Sequence, residues 1–167
     1  MTNILKSKKW VGLLCGVLAT MGSSAYADIR YLPLLDLTYP VDSFGTFSGG
    51  GGLLAGLELG SSFEIESGAQ YRSHAIKGDG VTTRFYSLQT PLSLRYLFSE
   101  RYSFGVGLYS EFSFEGRALV YGSAIHLEYG ILADPDRSGV VLRIEHLRNL
   151  ALSGVHNLLV LSLGYRL

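Results

Sequence analysis

The chain has 167 residues, and its 14 basic and 14 acidic side chains give a formal net charge of zero. Because the acids and bases are interspersed, the sequence has no basic patch of the kind that binds nucleic acid. Its single cysteine, Cys15, lies close to the amino terminus, so disulfides, a thiol nucleophile and thiolate metal sites are excluded for the rest of the chain.

The first 27 residues have the layout of a secretory signal peptide. Three lysines precede an apolar stretch from Trp10 to Ala19, and small residues then lead to a candidate cleavage site after Ala27. The apolar stretch is much shorter than the ~20 residues that a membrane-spanning helix requires. We therefore expect residues 1–27 to be removed as a signal peptide and residues 28–167 to form one exported domain.

Beyond Asp28, apolar and polar side chains alternate, which indicates strands with one apolar face. The clearest case is 119–131, in which leucine, isoleucine and tyrosine alternate with glycine, alanine, histidine and glutamate. Most of the alternating segments are long enough for tilted strands that cross a hydrocarbon layer. We predict eight strands, in chain order 29–39, 52–60, 63–75, 82–98, 102–115, 119–131, 139–152 and 159–167.

The apolar face distinguishes two fold classes. A soluble β-sandwich buries such a face, whereas a barrel in lipid turns it outward and places aromatic residues at both membrane interfaces. With the amino terminus in the periplasm, Phe63, Tyr96 and Tyr165 fall near the periplasmic ends of their strands, and Tyr39 and Tyr86 near the outer ends. We predict an all-β, eight-stranded, antiparallel up-and-down transmembrane β-barrel in the bacterial outer membrane.

The connections on the predicted external side are 40–51, 76–81, 116–118 and 153–156, and only the first is long. It contains the run Gly49–Gly52, which lacks the Lys-Ser/Thr of a phosphate-binding loop and is interpreted as a flexible loop that leads into a strand. Short external connections are atypical of an adhesin. They therefore count against a role as an adhesin.

The inward-facing positions carry many charged residues. An eight-stranded barrel is just wide enough to be filled by its own side chains, and buried charges must pair there because an isolated one is very costly. The pattern predicts a structural network rather than a pore, and no metal or cofactor. Its predicted members are Glu58, Glu64, Glu66, Arg72, Arg95, Glu111, His126, Glu128, Arg143 and Glu145, with Asp36, Glu115, Arg30, Arg166 and His74 of the same inward parity.

Three polar side chains have the opposite, lipid-facing parity. His146 and Arg148 share a face with the apolar residues of 139–152, and Arg84 faces outward from 82–98. A charge that faces lipid costs about 2–4 kcal/mol at the bilayer midplane and little near the interface. We therefore expect Arg148 and Arg84 at the outer rim, where they bind the headgroups of outer-membrane lipids such as lipopolysaccharide.

Over residues 28–167 the chain resembles the broad family of small outer-membrane barrels. Its ending, Gly164-Tyr165-Arg166-Leu167, looks like the assembly signal of that family, with Leu167 in the place of the usual phenylalanine. The resemblance implies recognition by the barrel-assembly machinery.

A narrower resemblance covers Arg143 to Asn149 and continues through Asn157 to the terminal Gly-Tyr. This part is similar to the last hairpin of the lipid A deacylase (PagL-like, acyloxyacyl hydrolase) family, which carries a His-x-Ser-Asn motif with a base and a nucleophile. His146 and Asn149 match the first and last motif positions, but Arg148 stands at the nucleophile position, and 156–163 has no acid. The resemblance implies a hydrolase only if another hydroxyl serves, and Ser123 on the neighbouring strand is the candidate.

Three hypotheses of function follow. The first is a structural or lipopolysaccharide-binding barrel without catalysis, and it requires nothing that the sequence lacks. The second is a lipid A 3-O-deacylase-like acyl-ester hydrolase of the outer leaflet that uses His146. The third is an adhesin or host-interaction barrel. The sequence leaves the ligand and the oligomeric state open.

Overall fold

The computed structural model describes residues 29–41, 45–78, 81–115, 118–133, 138–150 and 157–167. The expected signal peptide lies outside the described residues. Within the described ranges, no helix has the length and apolarity needed to span a membrane. The strands there are β1 (Ile29–Pro40), β2 (Gly45–Thr46), β3 (Ser48–Glu58), β4 (Phe63–Gly78), β5 (Val81–Leu97), β6 (Tyr102–Ser113), β7 (Ala118–Ala133), β8 (Gly139–Asn149) and β9 (Asn157–Arg166).

The eight long strands form a closed antiparallel barrel. Each pairs with its neighbours along the chain, and β1 pairs with both β3 and β9, so the sheet closes on itself. The two-residue β2 pairs with β4 next to the first residues of β3. The predicted fold class, an eight-stranded up-and-down barrel, is confirmed.

The lower end is defined here as the one at which β1 begins and β9 ends, and the upper end as the opposite one. Along β8, alternate residues from Gly139 to Leu147 are buried in the lumen, while Ile144, His146 and Arg148 are exposed on the outer wall. The same alternation runs through β1 and β9. A period of two therefore separates lumen from outer wall throughout the barrel.

The prediction that Gly49–Gly52 is a loop is wrong. These glycines belong to β3 and pair with β1 on one side and, from Gly50, with β4 on the other. A Cβ added to Gly52 would lie 2.6 Å from Cγ of Gln70, so the missing side chain lets the lumen side chain of β4 lie across β3. The long external connection is thereby reduced to the residues between Pro40 and Gly45.

Other strand ends also differ from the prediction. β4 and β5 continue to Gly78 and from Val81, so most of the predicted connection 76–81 is strand. β8 ends at Asn149 instead of residue 152. These ends carry polar or small residues whose alternation is weak, and the hydrogen-bonded partner strand determines where pairing stops.

Aromatic rings form a belt at each end of the outer wall. At the lower end Tyr96 lies 5.2 Å from Phe63 and 6.4 Å from Phe98, measured between ring centroids, and Tyr102 continues the row at 5.9 Å from Phe98 and 4.9 Å from Tyr129. At the upper end, neighbouring rings pair as Tyr71 with Tyr86 and Phe114, Phe112 with Phe114, and Tyr39 with Phe47. Two such belts are typical of a transmembrane barrel.

The lumen contains apolar layers that the sequence analysis did not identify. One cluster consists of Leu32, Leu34, Leu54 and Val141. The other, which we call the upper plug, consists of Tyr109, Ala124, Leu147, Leu158 and Val160 on β6 to β9. The interior is therefore filled by apolar side chains as well as by charges, as expected for a barrel of this size.

Candidate functional site

The charged lumen residues converge on two glutamates. Glu128 accepts hydrogen bonds from Arg95 at 2.6 Å, from Arg143 at 3.0 Å and from Arg166. Glu66 accepts hydrogen bonds from Arg143 through both of its oxygens, at 2.7 and 2.5 Å. Because these residues come from β4, β5, β7, β8 and β9, the network ties most of the barrel wall together across the lumen.

Arg72 forms a second part of the network, nearer the upper end. It donates to Glu145 at 2.8 Å and to Gln70 at 2.9 Å, and its Nε lies 3.5 Å from a carboxylate oxygen of Asp36. Neither oxygen of Asp36 has a hydrogen-bond partner among the residues that the structure describes. Asp36 is thus the most weakly held carboxylate of the lumen.

The other inward-parity residues have varied positions. Glu58 pairs with Arg30 at 3.0 Å near the lower end, and Arg95 also pairs with Glu64. His126 is buried in the lumen, whereas Glu111 is half-buried. The side chain of His74 lies outside the described residues.

The inward placement of Glu115 is wrong. Its side chain is exposed, and its two carboxylate oxygens accept hydrogen bonds from the backbone N–H of Tyr86 at 3.0 and 2.9 Å. The reason is that β6 ends at Ser113, and beyond the end of a strand the alternation no longer assigns a face.

We expect the paired charges and the apolar layers to close the lumen to ions. Arg72, Arg95 and Arg143 are each at most 1% exposed, and burial of these groups without counter-charges would be prohibitive. We predict that the barrel, reconstituted in planar lipid bilayers, adds no conductance steps to the baseline. Discrete channel openings by the wild-type protein would contradict this packing.

On the outer wall, one group of polar side chains spans three strands, and we call it the β7–β9 polar patch: Ser123, His146, Arg148 and Asn157. Arg148 lies directly opposite Ser123 on β7 and Asn157 on β9. His146 lies one step lower on β8. The patch therefore consists of a cross-strand row of three polar residues with a histidine beneath it.

The surroundings of the patch are apolar. The residues opposite His146 are Ile125 and Leu159, and those in the next row down are Leu127, Ile144 and Leu161, all of which are exposed large hydrophobic side chains. His146 and Arg148 are exposed, while Ser123 and Asn157 are half-buried. A hydrogen-bonding cluster thus faces the region where lipid contacts the barrel.

The register limits the chemistry that the patch can perform. Ser123 faces Arg148, and it is a diagonal neighbour of His146, whose direct partner on β7 is Ile125. Glu128 and Glu145, the acids of these two strands within the described residues, are buried in the lumen. Among the described residues the patch holds a cation and hydrogen-bonding groups, but no carboxylate that would orient His146 as a base.

Arg84 is a second outward cation, and its surroundings differ. It is exposed on β5 and lies opposite Ala75 of β4. The β5–β6 ladder starts only at Ser87, so Arg84 stands above the part of β5 that pairs with β6. It serves as a matched control for Arg148, since both are outward arginines near the upper end.

The described histidines and acids were also considered as metal ligands. Within the described residues, no group of three or more His, Cys, Asp or Glu side chains is placed to hold a metal ion. The acids that do cluster in the lumen are occupied by arginines.

Known proteins were compared with this chain in sequence and in fold. No protein-family model and no curated protein matches the sequence. Among solved structures, the outer membrane protein Ail of Yersinia pestis, in a phospholipid bilayer nanodisc, is similar with a TM-score of 0.58 at 10% identity over 84% of this chain and 100% of that one. OprG of Pseudomonas aeruginosa gives a TM-score of 0.53 at 13% identity over 84% and 96% of the two chains.

The closed barrel, the apolar outer wall and the two aromatic belts define the chain as a small transmembrane β-barrel. Its fold is that of outer-membrane barrels. These observations agree with the predicted location in the bacterial outer membrane.

Proposed function

We propose that this protein is a non-catalytic outer-membrane barrel that binds a phosphate-bearing lipid of the outer leaflet, lipopolysaccharide, through the β7–β9 polar patch. The observation that carries the proposal is the exposed side chain of Arg148 in a row with Ser123 and Asn157, above the apolar residues Ile125 and Leu159. A lipid phosphate supplies the anion for Arg148. The two neighbouring side chains can add hydrogen bonds to the headgroup.

The energetic argument is that an arginine on a lipid-facing wall needs a partner. An unpaired charge there costs about 2–4 kcal/mol at the midplane, and Arg148 has no carboxylate directly opposite it on either neighbouring strand. A guanidinium binds phosphate with paired, charge-assisted hydrogen bonds. A bound phosphate thereby offsets the cost of the lipid-facing position.

The proposal places the patch in the outer leaflet. The patch lies near the upper end, where β8 ends and β9 begins. We propose that the lower end lies in the periplasm, as is usual for such barrels. We also propose that the assembly machinery recognises the last strand, whose Leu167 pairs with Tyr31 of β1 through two backbone hydrogen bonds.

Binding of lipid A to the barrel in a maltoside micelle, measured by native mass spectrometry, tests the proposal. Arg148→Ala is expected to raise the Kd for bisphosphorylated lipid A by roughly 10- to 100-fold, the equivalent of about 1.5–3 kcal/mol for hydrogen bonds to a charged group. Dephosphorylated lipid A should bind the wild type weakly and the variant equally weakly.

Arg84→Ala is the control and should leave the affinity close to that of the wild type, because Arg84 lies on β5, outside the β7–β9 polar patch. The folded state of each variant is checked by its heat-modifiable migration on gels. Equal affinity of wild type and Arg148→Ala for bisphosphorylated lipid A, with both folded, would overturn the proposal.

A lipid A acyl-ester hydrolase is the second candidate. The observation in its favour is that Ser123 and His146 are diagonal neighbours on the lipid-facing side of β7 and β8. It predicts loss of one acyl chain from lipid A in membranes that contain the protein, and retention of that chain with His146→Ala. Mass spectrometry of lipid A distinguishes this activity from binding alone.

An adhesin or host-interaction role is the third hypothesis. The similarity to Ail at 10% identity concerns the fold, and a shared fold does not carry a role. We assign no surface to this role.

A further inference from the structure

We infer that His146 is a second anchor in the β7–β9 polar patch, which donates a hydrogen bond to the acyl-linkage carbonyl of the same lipid whose phosphate Arg148 binds. The inference rests on the proposed lipid-binding function. It extends that function from a headgroup contact to a site for one lipid molecule held at two depths.

His146 and Arg148 lie at different depths along the membrane normal. Val140 lies opposite Tyr165, an exposed aromatic residue near the lower end. Six residues separate Val140 from His146, which at ~3.3 Å per residue and a tilt of 35–45° is about 15 Å along the membrane normal. Arg148 is then about 20 Å above Val140, within an apolar band that is ~25 Å tall.

The two side chains also differ in what they can reach. An arginine side chain is long enough to snorkel, and from the depth of Arg148 its guanidinium can reach the headgroup layer. Imidazole is short, and His146 lies about 5 Å below Arg148 by the same geometry. Its ring is therefore at the depth of the acyl linkages, which lie directly beneath the phosphate in a phosphoryl lipid.

The imidazole of His146 also needs a partner. A neutral imidazole has one N–H donor and one acceptor nitrogen, and an unsatisfied donor in hydrocarbon is costly. The side chains directly across from His146, Ile125 and Leu159, are apolar. An ester or amide carbonyl of a bound lipid supplies an acceptor at this depth.

Glycerophospholipids and lipid A share this chemistry, because both carry a phosphate above carbonyl-linked acyl chains. A contact to the carbonyl is recognised by comparing a diester lipid with its diether analogue, which keeps the phosphate and lacks the carbonyl oxygens. Phosphatidylglycerol is the probe for that comparison, and lipid A is the probe for the proposed natural ligand.

The experiment measures Kd in maltoside micelles for wild type, His146→Phe, His146→Gln and Arg148→Ala. Phenylalanine keeps a ring without a donor, whereas glutamine keeps a donor. We expect His146→Phe to weaken binding of diester phosphatidylglycerol and lipid A by roughly three- to tenfold, as for one neutral hydrogen bond. It should not change binding of the diether lipid, and His146→Gln should recover part of the affinity.

The outcomes separate this inference from the proposed function. An Arg148→Ala loss together with equal effects of His146→Phe on diester and diether lipids would overturn the carbonyl contact and keep the phosphate site. No loss with Arg148→Ala for any phosphorylated lipid would overturn the proposed function. A His146-dependent loss with phosphatidylglycerol but not with lipid A would overturn the contact between His146 and an acyl carbonyl of lipopolysaccharide.

Discussion

Glu128→Gln is expected to destabilise the folded barrel by about 3–5 kcal/mol, the range for breaking a buried ion pair from one side. Glu128 receives hydrogen bonds from Arg95, Arg143 and Arg166. Its neutral replacement takes the charge from the carboxylate that pairs with Arg166, a buried guanidinium. The measurement is equilibrium unfolding by urea of the barrel reconstituted in lipid vesicles.

Asp36→Asn is the matched control, since it removes the same charge from the same lumen. Among the described residues that are buried, five carboxylates face four guanidinium groups: Asp36, Glu64, Glu66, Glu128 and Glu145 against Arg72, Arg95, Arg143 and Arg166. Arg72 keeps Glu145 and Gln70 when Asp36 is neutralised. We expect a change within about 1 kcal/mol, because neither Asp36 oxygen has a hydrogen-bond partner among the described residues and one neutral hydrogen bond contributes about that much.

Unfolding is followed by far-UV circular dichroism, because the only tryptophan, Trp10, precedes the barrel. If Asp36→Asn and Glu128→Gln lower the free energy of unfolding equally, the lumen responds to total charge alone. The convergence of three arginines on Glu128 would then make no specific contribution to the free energy of unfolding.

The second large effect is expected from Gly122→Ala, which should destabilise the barrel by about 1–3 kcal/mol, as for overpacking of a filled core. Gly122 lies opposite Tyr109, and a Cβ at Gly122 would clash with the Tyr109 ring. That ring is 3% exposed and belongs to the upper plug with Leu147 and Leu158, so it has little room to move away.

Gly49→Ala is the control for Gly122→Ala. A Cβ at Gly49 meets nothing closer than 3.6 Å, the backbone oxygen of Asp36, which is an ordinary contact. In the same vesicle assay we expect no more than a small loss with Gly49→Ala. Recovery of stability when Tyr109→Leu is added to Gly122→Ala would identify the ring as the obstacle, and a purely additive double variant would contradict it.

The faces of the strands were predictable because a strand has a period of exactly two. Once a segment such as 119–131 was recognised as a strand, the parity of each residue followed. The outward exposure of His146 and Arg148 and the burial of Glu128 and Arg143 needed no knowledge of the partner strands.

The register was not predictable, and the site depends on it. Parity places Ser123 on the outer wall, but only the pairing of β7 with β8 shows that it lies opposite Arg148 rather than His146. The alternation in one sequence does not determine by how many residues two paired strands are shifted when both have an apolar outer face. The arrangement of Ser123, Arg148 and Asn157 in one row could therefore not be predicted from the sequence.

The upper plug was missed for a different reason. Tyr109, Leu147 and Leu158 are apolar residues at inward positions, where the charged pattern led us to expect polar side chains. Both apolar and charged residues fill the lumen. Where a strand has apolar residues on both its outward and its inward face, the sequence shows no alternation that would mark the inward positions. Runs of apolar residues at strand ends, such as Leu158 to Leu161, are the available hint.

The central claim is that a lipid phosphate binds Arg148, and solid-state NMR tests it most directly. Dipolar dephasing between ³¹P of lipid A and ¹⁵N of the guanidinium groups is measured for arginine-labelled barrel in lipid vesicles. The account predicts dephasing that Arg148→Ala removes for the most part and Arg84→Ala leaves in place. Equal dephasing in wild type and Arg148→Ala, or none in the wild type, would contradict it.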